Sequence, residues 1–306
     1  METGKAMPWG FVAAMSAAQV VSWGSLFYAF ALFLEPMSRE LGWTKPELTA
    51  AYSAGLVAWG LGAFPVGRAI DRGHGRAVMT LGSCLAVLLL LAWSQVSHYG
   101  LFLALWVGLG FAMSATLYEP GFAVLARRLG TGARRGITAM TLVGGFASTV
   151  FIPLTHLLIE QLGWRGALVA LAGLNALIGI AIHAMIIPRE TPSQAPASPT
   201  VTAVPGPPAS PGVTAVPGPP SGVRRVLALP AFWGFVAVAV IHGAIFTGFS
   251  VHLIPLLVER GSSLDGAVLA FTLIGPAQVA ARIGIAATER FVSVRMIGLL
   301  TTLIPV

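Results

Sequence analysis

Charge is what this sequence has least of. Only 9% of its 306 residues are Asp, Glu, Lys or Arg, whereas a soluble domain carries about 25%. So few charges cannot coat a surface that faces water, and most of the surface must face lipid. Cysteine is nearly absent: Cys84 stands alone inside an apolar run. That excludes an intrachain disulfide framework, and no role is assigned to the thiol. Acid is scarcer than base, leaving a net charge of +7. In a water-soluble chain such an excess points to nucleic acid. In one this apolar it points to basic loops that orient membrane segments, so no nucleic-acid partner is expected. The six histidines are scattered without metal-ligand spacing. No phosphate loop, nucleophile elbow or zinc-protease motif occurs. No cofactor, no metal and no enzymatic chemistry are therefore expected.

What is abundant is long apolar sequence, with 56% of residues hydrophobic. A membrane helix needs about 20 largely apolar residues. Pro8–Leu34 carries no charge at all, too long a run for a cleavable signal peptide. Further spans are expected at Leu48–Val66, Ala77–Trp93, Leu101–Leu125, Ile137–Ile159, Ala167–Ile187, Phe232–Val258 and Gly266–Ala287. A ninth begins at Met296 and is cut short at Val306, as in a piece of a longer protein. With the N-terminus inside, 14 of the 18 Lys and Arg fall at inner ends, and Arg39, Lys45, Arg165 and Arg260 fall outside. That asymmetry predicts a cytoplasmic N-terminus.

Residues 191–222 are a different material: Pro, Ser, Thr, Ala, Val and Gly with a single Gln, no charge and no aromatic. "VTAVPGPP" occurs at Val201 and again at Val213. Such a segment favours extended conformations and cannot bury a core. It is expected to be a disordered cytoplasmic tether between a six-helix bundle, 1–190, and a second, incomplete bundle, 223–306.

A further repeat relates those two parts. "EPMSRELGWTKPELTAAYSAGL" begins at Glu35, where the first span leaves the membrane, and "IPLLVERGSSLDGAVLAFTLIG" begins at Ile254, where the seventh leaves it. At a constant offset they share Pro36/Pro255, Gly42/Gly261, Ala51/Ala270 and Tyr52/Phe271. After one gap, "GRAIDR" meets "GIAATER", so that Gly67 matches Gly284, Asp71 matches Glu289 and Arg72 matches Arg290. The pattern implies a second copy in the same orientation, and parallel halves of six helices are a known transporter architecture.

The loop "GRAIDRGHGR" between the second and third spans concentrates Arg68, Arg72, Arg76 and Asp71 in an otherwise uncharged region. It resembles the signature Gly-x-x-x-Asp-Arg-x-Gly-Arg-Arg/Lys of the major facilitator superfamily. Gly67, Asp71, Arg72, Gly75 and Arg76 fit after one extra residue, and Ala77 replaces the last basic position. "FALFLEPMSRELGW", "GITAMTLVGGFASTVFIPL" and "LGWRGAL" resemble bacterial members near the monocarboxylate and oxalate/formate branch. The fifth span has Gly144–Gly145 without the proline of the antiporter pattern, which disfavours drug/proton antiport. The resemblance implies an all-α integral membrane protein with about eight and a half of the family's twelve helices, in a bacterial inner or plasma membrane. It implies that Asp71 latches the two halves, its partner a helix beyond Val306. Independently, glycines at such positions let helix ends approach closely, and a carboxylate at a helix end is stabilised by a neighbouring helix N-terminus.

Ionisable residues inside the hydrocarbon are functional by default. Glu119, in "TLYEPGF", lies eight residues before Arg127 and so about 12 Å from the inner helix end. Pro120 follows it and is expected to loosen the helix there. Arg282 is the other charge, and arginine grips a carboxylate with two parallel hydrogen bonds. The monocarboxylate branch resembles this, with an acid four residues earlier, where this chain has Gln278. Snorkelling of Arg282 to the inner interface is the alternative. His242 sits near mid-depth of the seventh span, where a buried, merely hydrogen-bonded histidine is the first reading. Tyr28, Gln19, Trp23 and Asn175 are candidate cavity residues, with packing the default for aromatics and amides in helices.

These features are expected of a secondary transporter that binds a small solute at mid-membrane, an organic anion moved with protons being the first choice. Alternatives are an efflux transporter of the same superfamily, or a non-transporting sensor or scaffold. Partners are thus a small molecule, membrane lipid and protons, with no oligomer specified. The charge asymmetry predicts that, with Cys84 replaced, a cysteine at Ser262 is labelled by an impermeant thiol reagent on intact cells and one at Ser210 is not. Labelling of Ser210 alone would invert the orientation.

Overall fold

The computed structural model describes residues 7–189 and 227–288. Every regular element among them is a helix. By its contacts the chain divides into one compact unit of Met1–Ala195 with Val251–Ala287, and another of Pro196–Ser250 with Thr288–Val306. The unit that holds the first six spans thus also takes in the end of the seventh and the eighth. The tether 191–222, the partial ninth span, Glu289 and Arg290 fall outside the described residues.

The first unit begins with α1, Trp9–Trp23, a wide π turn over Gly24–Tyr28, and α2, Phe30–Leu41. Then come α3, Lys45–Ala69, a second π turn at Ile70–His74, and α4, Gly75–Trp93. Next are α5, Tyr99–Thr116, α6, Tyr118–Leu129, and α7, Ala133–Gly144. The bundle closes with α8, Ala147–Leu174, a third π turn at Asn175–Ile180, and α9, Ala181–Met185. From residue 227 onward come α10, Pro230–Glu259, α11, Leu264–Thr272, and α12, Ile274–Thr288.

Five helical stretches are long and apolar enough to cross a membrane. Two of them run to 49 and 87 residues, far beyond the roughly 20 that one crossing takes. Both must turn back, and glycine supplies the turns. Gly73 has φ 89° within the Arg-rich loop, and Gly163 has φ 69° where α8 doubles back. A side chain resists that left-handed region, while glycine adopts it freely. The chain is an all-α, multi-pass integral membrane protein.

α3 starts on a full capping box. The Thr44 hydroxyl accepts from the Glu47 N–H at 3.3 Å, and the Glu47 carboxylate accepts from the Thr44 N–H at 2.8 Å. Ser263 caps α11 in the same way through the Gly266 N–H. Together with positive φ at Gly42 and Gly261 and full burial of Tyr52 and Phe271, this gives the internal repeat a structural basis. Its two copies end one helix and start the next by the same chemistry.

Lipid offers little hydrophobic drive between helices, so they associate where small residues permit close contact. α3 and α5 meet at Gly55 and Gly110. A Cβ on Gly110 would strike the Gly55 carbonyl, and one on Gly55 would lie 2.7 Å from the Trp106 carbonyl. Beside this seam sits an aromatic core, with Phe30 stacked on Tyr52 at 4.4 Å and Trp93 against Trp106 at 5.1 Å.

Of the motif glycines, Gly75 serves close approach: its Cβ would lie 2.8 Å from Val124. Gly67 has open space at its Cβ position among the described residues. Gly73, which the motif pattern passes over, makes the turn. The loop is held by the Arg127 guanidinium, which donates to the Asp71 carbonyl at 3.1 Å, while Asp71 and Arg72 are exposed and Arg76 is half-buried.

Gly110→Leu should force α3 and α5 apart. Overpacking costs about 1–3 kcal/mol, and thermal unfolding in detergent should shift down by several degrees. Gly10→Leu, with open space at its Cβ, is the control expected to leave the midpoint unchanged.

Candidate functional site

Four helices are interrupted around one region, and in two cases the cause is a proline. In a continuous helix the N–H of residue 120 would bond the carbonyl of Thr116. Proline has no N–H, so that carbonyl is orphaned. The chain breaks at Leu117 (φ −80°, ψ −155°), one turn ahead of the proline, and α6 starts afresh at Tyr118. The Gln19 amide, fully buried on α1, donates to the Thr116 carbonyl at 2.9 Å and to the Leu117 carbonyl at 3.1 Å. Gln19 is therefore a brace rather than a cavity residue. Gly121 makes room for it, since a Cβ there would lie 3.0 Å from the Gln19 amide nitrogen.

The same solution recurs at Pro276. Its missing N–H frees the Thr272 carbonyl, and the Thr149 hydroxyl of α8 donates to it at 3.0 Å. The helix is interrupted at Leu273 between α11 and α12. Gly275 allows the approach, because a Cβ there would collide with the Thr149 hydroxyl. The remaining interruptions are the π turn at Gly24–Tyr28 and the break between α7 and α8 after Gly144. Asn175 is buried and donates to the Ser25 hydroxyl at 2.6 Å, holding the π turn from behind. It too is structural.

These breaks carry the charged and aromatic candidates to one place. Trp23 is the hub, with ring centroids 4.9 Å from Tyr118, 5.6 Å from Trp59 and 6.2 Å from Tyr28. Glu119 falls in the first turn of α6, where free N–H groups favour an anion, and its carboxylate is within hydrogen-bonding reach of Trp59. It is exposed at the surface of the described residues. The Arg282 guanidinium donates to the Thr141 carbonyl, beside the α7–α8 break, and lies in reach of the Tyr118 hydroxyl. Gly144 leaves the room Tyr118 occupies, since a Cβ there would meet the tyrosine hydroxyl. Gln278, in place of the expected acid, is within hydrogen-bonding reach of Tyr28.

Among the described residues neither Glu119 nor Arg282 forms an ion pair. The arrangement is a cation with spare N–H groups and a separate acid, joined by aromatic walls. A carboxylate from outside would complete the arginine. The indole N–H of Trp23 is also without a partner among the described residues. His242 belongs to the second unit and its side chain is exposed.

Trp59, Tyr118 and Thr149 were not among the candidates from sequence. A signal was present for Thr149 and Gln19: a proline within a span frees the carbonyl four residues back, which a side chain of another helix can then cap. The aromatic pair offered no comparable signal, since aromatics in membrane helices usually pack.

Secondary transporters typically build substrate sites from broken helices, and here broken helices gather a cation and a separate acid within an all-helical membrane bundle. The sequence profile of the Major Facilitator Superfamily matches residues 14–305, and the chain belongs to that superfamily. It is 30% identical over 287 residues to human monocarboxylate transporter 11, an alignment covering 90% of this chain and 55% of the relative. It is 32% identical over 182 residues to bovine monocarboxylate transporter 13, covering 55% of this chain and 39% of the relative. The chain thus spans about half the length of the relatives it matches.

Gln19→Leu should leave the Thr116 carbonyl without a donor in a buried site, at a cost of about 1–3 kcal/mol. Thermal unfolding should shift down accordingly, and Gln19→Glu, which lacks the amide donor when ionised, should not restore it. A stability equal to wild type in Gln19→Leu would show that the break at Leu117 stands without the brace.

Proposed function

We propose that the protein is a secondary transporter for a small organic anion, a monocarboxylate by chemistry, moved together with a proton by alternating access. The observation that carries this reading is the Arg282 guanidinium at the meeting of four broken helices, beside Tyr118 and without an ion pair among the described residues. Arginine presents a planar fork that matches a carboxylate. Gln278 turns to Tyr28 and leaves the arginine's charge to be balanced by substrate. Glu119, accessible and one residue from Tyr118, takes up and releases the proton. The similarity to the two monocarboxylate transporters supports the substrate class, and the basic loops support a cytoplasmic N-terminus and Arg-rich end. In this reading 1–190 and 223–306 are the two rocking bundles, 191–222 is their tether, and Gly67, Asp71, Arg72, Gly75 and Arg76 are the inner latch, with Gly284, Glu289 and Arg290 its repeat.

The two charged residues then have separable roles. Arg282→Ala removes charge-assisted hydrogen bonds worth about 1.5–3 kcal/mol, so substrate affinity should fall about ten- to hundredfold. Arg282→Lys should recover little of it, lacking the fork. Glu119→Gln imitates the protonated acid, so it should keep substrate exchange and lose accumulation driven by a pH gradient. Counterflow and proton-driven uptake in liposomes measure the two separately. Unchanged affinity in Arg282→Ala would remove the anion assignment, and unchanged accumulation in Glu119→Gln would make that residue structural.

A further inference from the structure

At the end of the first unit opposite the Arg-rich loops lies a cavity of about 820 Å³. Its walls come from α2, α3, α8, the last turns of α10, and the start of α11. Leu32, Ile159 and Ile254 give it an apolar interior, while a ring of charged side chains lines it as well. Most of those charges are matched within the first six spans. Arg39 pairs with Glu35 at 2.7 Å. Glu40 accepts from the Trp164 indole at 2.5 Å and pairs with Arg165 at 2.9 Å.

Two pairs behave differently, because they cross from the first six spans to the segment after the tether. Lys45 at the start of α3 meets Glu259 at the end of α10, at 2.9 Å. His156 of α8 meets Asp265 in the first turn of α11 at 3.0 Å, with Glu160 of its own helix 3.5 Å away. The repeat makes the contrast sharper. The constant offset that relates Pro36 to Pro255 also relates Glu40 to Glu259. The same acid thus ends the first helix of each half. In one half it is tied internally by Trp164 and Arg165, and in the other it reaches across. Pro36 and Pro255 both line the cavity, so the crossing pairs close over the point where the two copies face each other.

We propose that Lys45–Glu259 and His156–Asp265 are the gate that shuts the substrate pathway at this end, and that both pairs must part before it opens. The proposal rests on the transporter reading. Both acids are well exposed, Glu259 at 63% and Asp265 at 86%, while Lys45 is 36% and His156 13% exposed. Exposed pairs are individually weak, which suits contacts remade on every cycle. The permanent ties of Glu40 keep α2 and α8 rigid beside them, so that motion is confined to the crossing contacts.

The test uses the intact protein with Cys84→Ser and a probe cysteine at Ala31, a buried residue of the cavity wall. Labelling by an impermeant maleimide is timed in right-side-out and inverted membrane vesicles, alongside substrate counterflow. Lys45→Glu and Glu259→Lys should each speed labelling from one side by about two- to tenfold. The double swap should return it towards the parent rate. Asp265→Asn should act in the same direction with a smaller effect. Should a charge reversal fail to fold, Lys45→Met and Glu259→Gln keep the comparison, with the same sign expected. Equal labelling in the parent and both single variants, or a double swap as fast as the singles, would overturn the gate. Faster labelling in the singles, with no counterflow in the parent for any monocarboxylate, would instead retire the substrate reading and leave the gate standing.

Discussion

A carbonyl freed inside a membrane protein has no water to turn to, and this one constraint organises the centre of the molecule. Prolines 120 and 276 each orphan the carbonyl four residues back. The protein answers with a side-chain donor from another helix: the Gln19 amide for Thr116 and the Thr149 hydroxyl for Thr272. Non-helical backbone at membrane depth survives only where protein satisfies it. Once satisfied, the breaks can do what a straight helix cannot. They turn Tyr118 towards Trp23, give Glu119 a helix N-terminus of its own, and set the Thr141 carbonyl under Arg282.

Much of the scaffold was readable in the sequence because apolar length and loop charge are both written in composition. Each expected span that falls among the described residues lies on helix, with Ala167–Ile187 overrunning its end by two residues. The internal repeat survives in detail, down to Thr44 and Ser263 as matched caps. What the sequence hid was continuity. Leu101–Leu125 and Gly266–Ala287 read as single spans, yet each is two helices. Hydropathy averages over a window, and a one-residue break leaves the average unchanged. Pro120 did signal a weak point, but the rupture fell one turn earlier, at Leu117, where Gln19 could reach the carbonyls.

The site was legible to the same degree and for the same reason. Arg282 and Glu119 stand out because charge in lipid is costly. Trp59 and Tyr118 did not, because an aromatic in a membrane helix is ordinary until the fold shows what it touches. Gln19 and Asn175 stand out as polar residues in apolar helices, and the fold uses them as packed braces, the default for amides there. Both are consumed by backbone and hydroxyl partners that only the folded arrangement supplies. The Arg-rich loop teaches a similar lesson, since the glycine it turns on is Gly73 and not the motif's Gly67.

The Thr149–Thr272 bond also sets an order of events in the making of the protein. Its two residues are 123 positions apart, and synthesis proceeds at about 5–20 residues per second. Thr149 is therefore made roughly 6–25 s before the carbonyl it will brace. During that interval the Thr149 hydroxyl must be satisfied locally, as threonine hydroxyls in helices are by turning back to a carbonyl one turn earlier. That carbonyl belongs to Gly145, beside the break where α8 begins. The nascent bundle can thus wait in lipid with no exposed donor, and the arrival of Pro276 asks it only to rotate one hydroxyl.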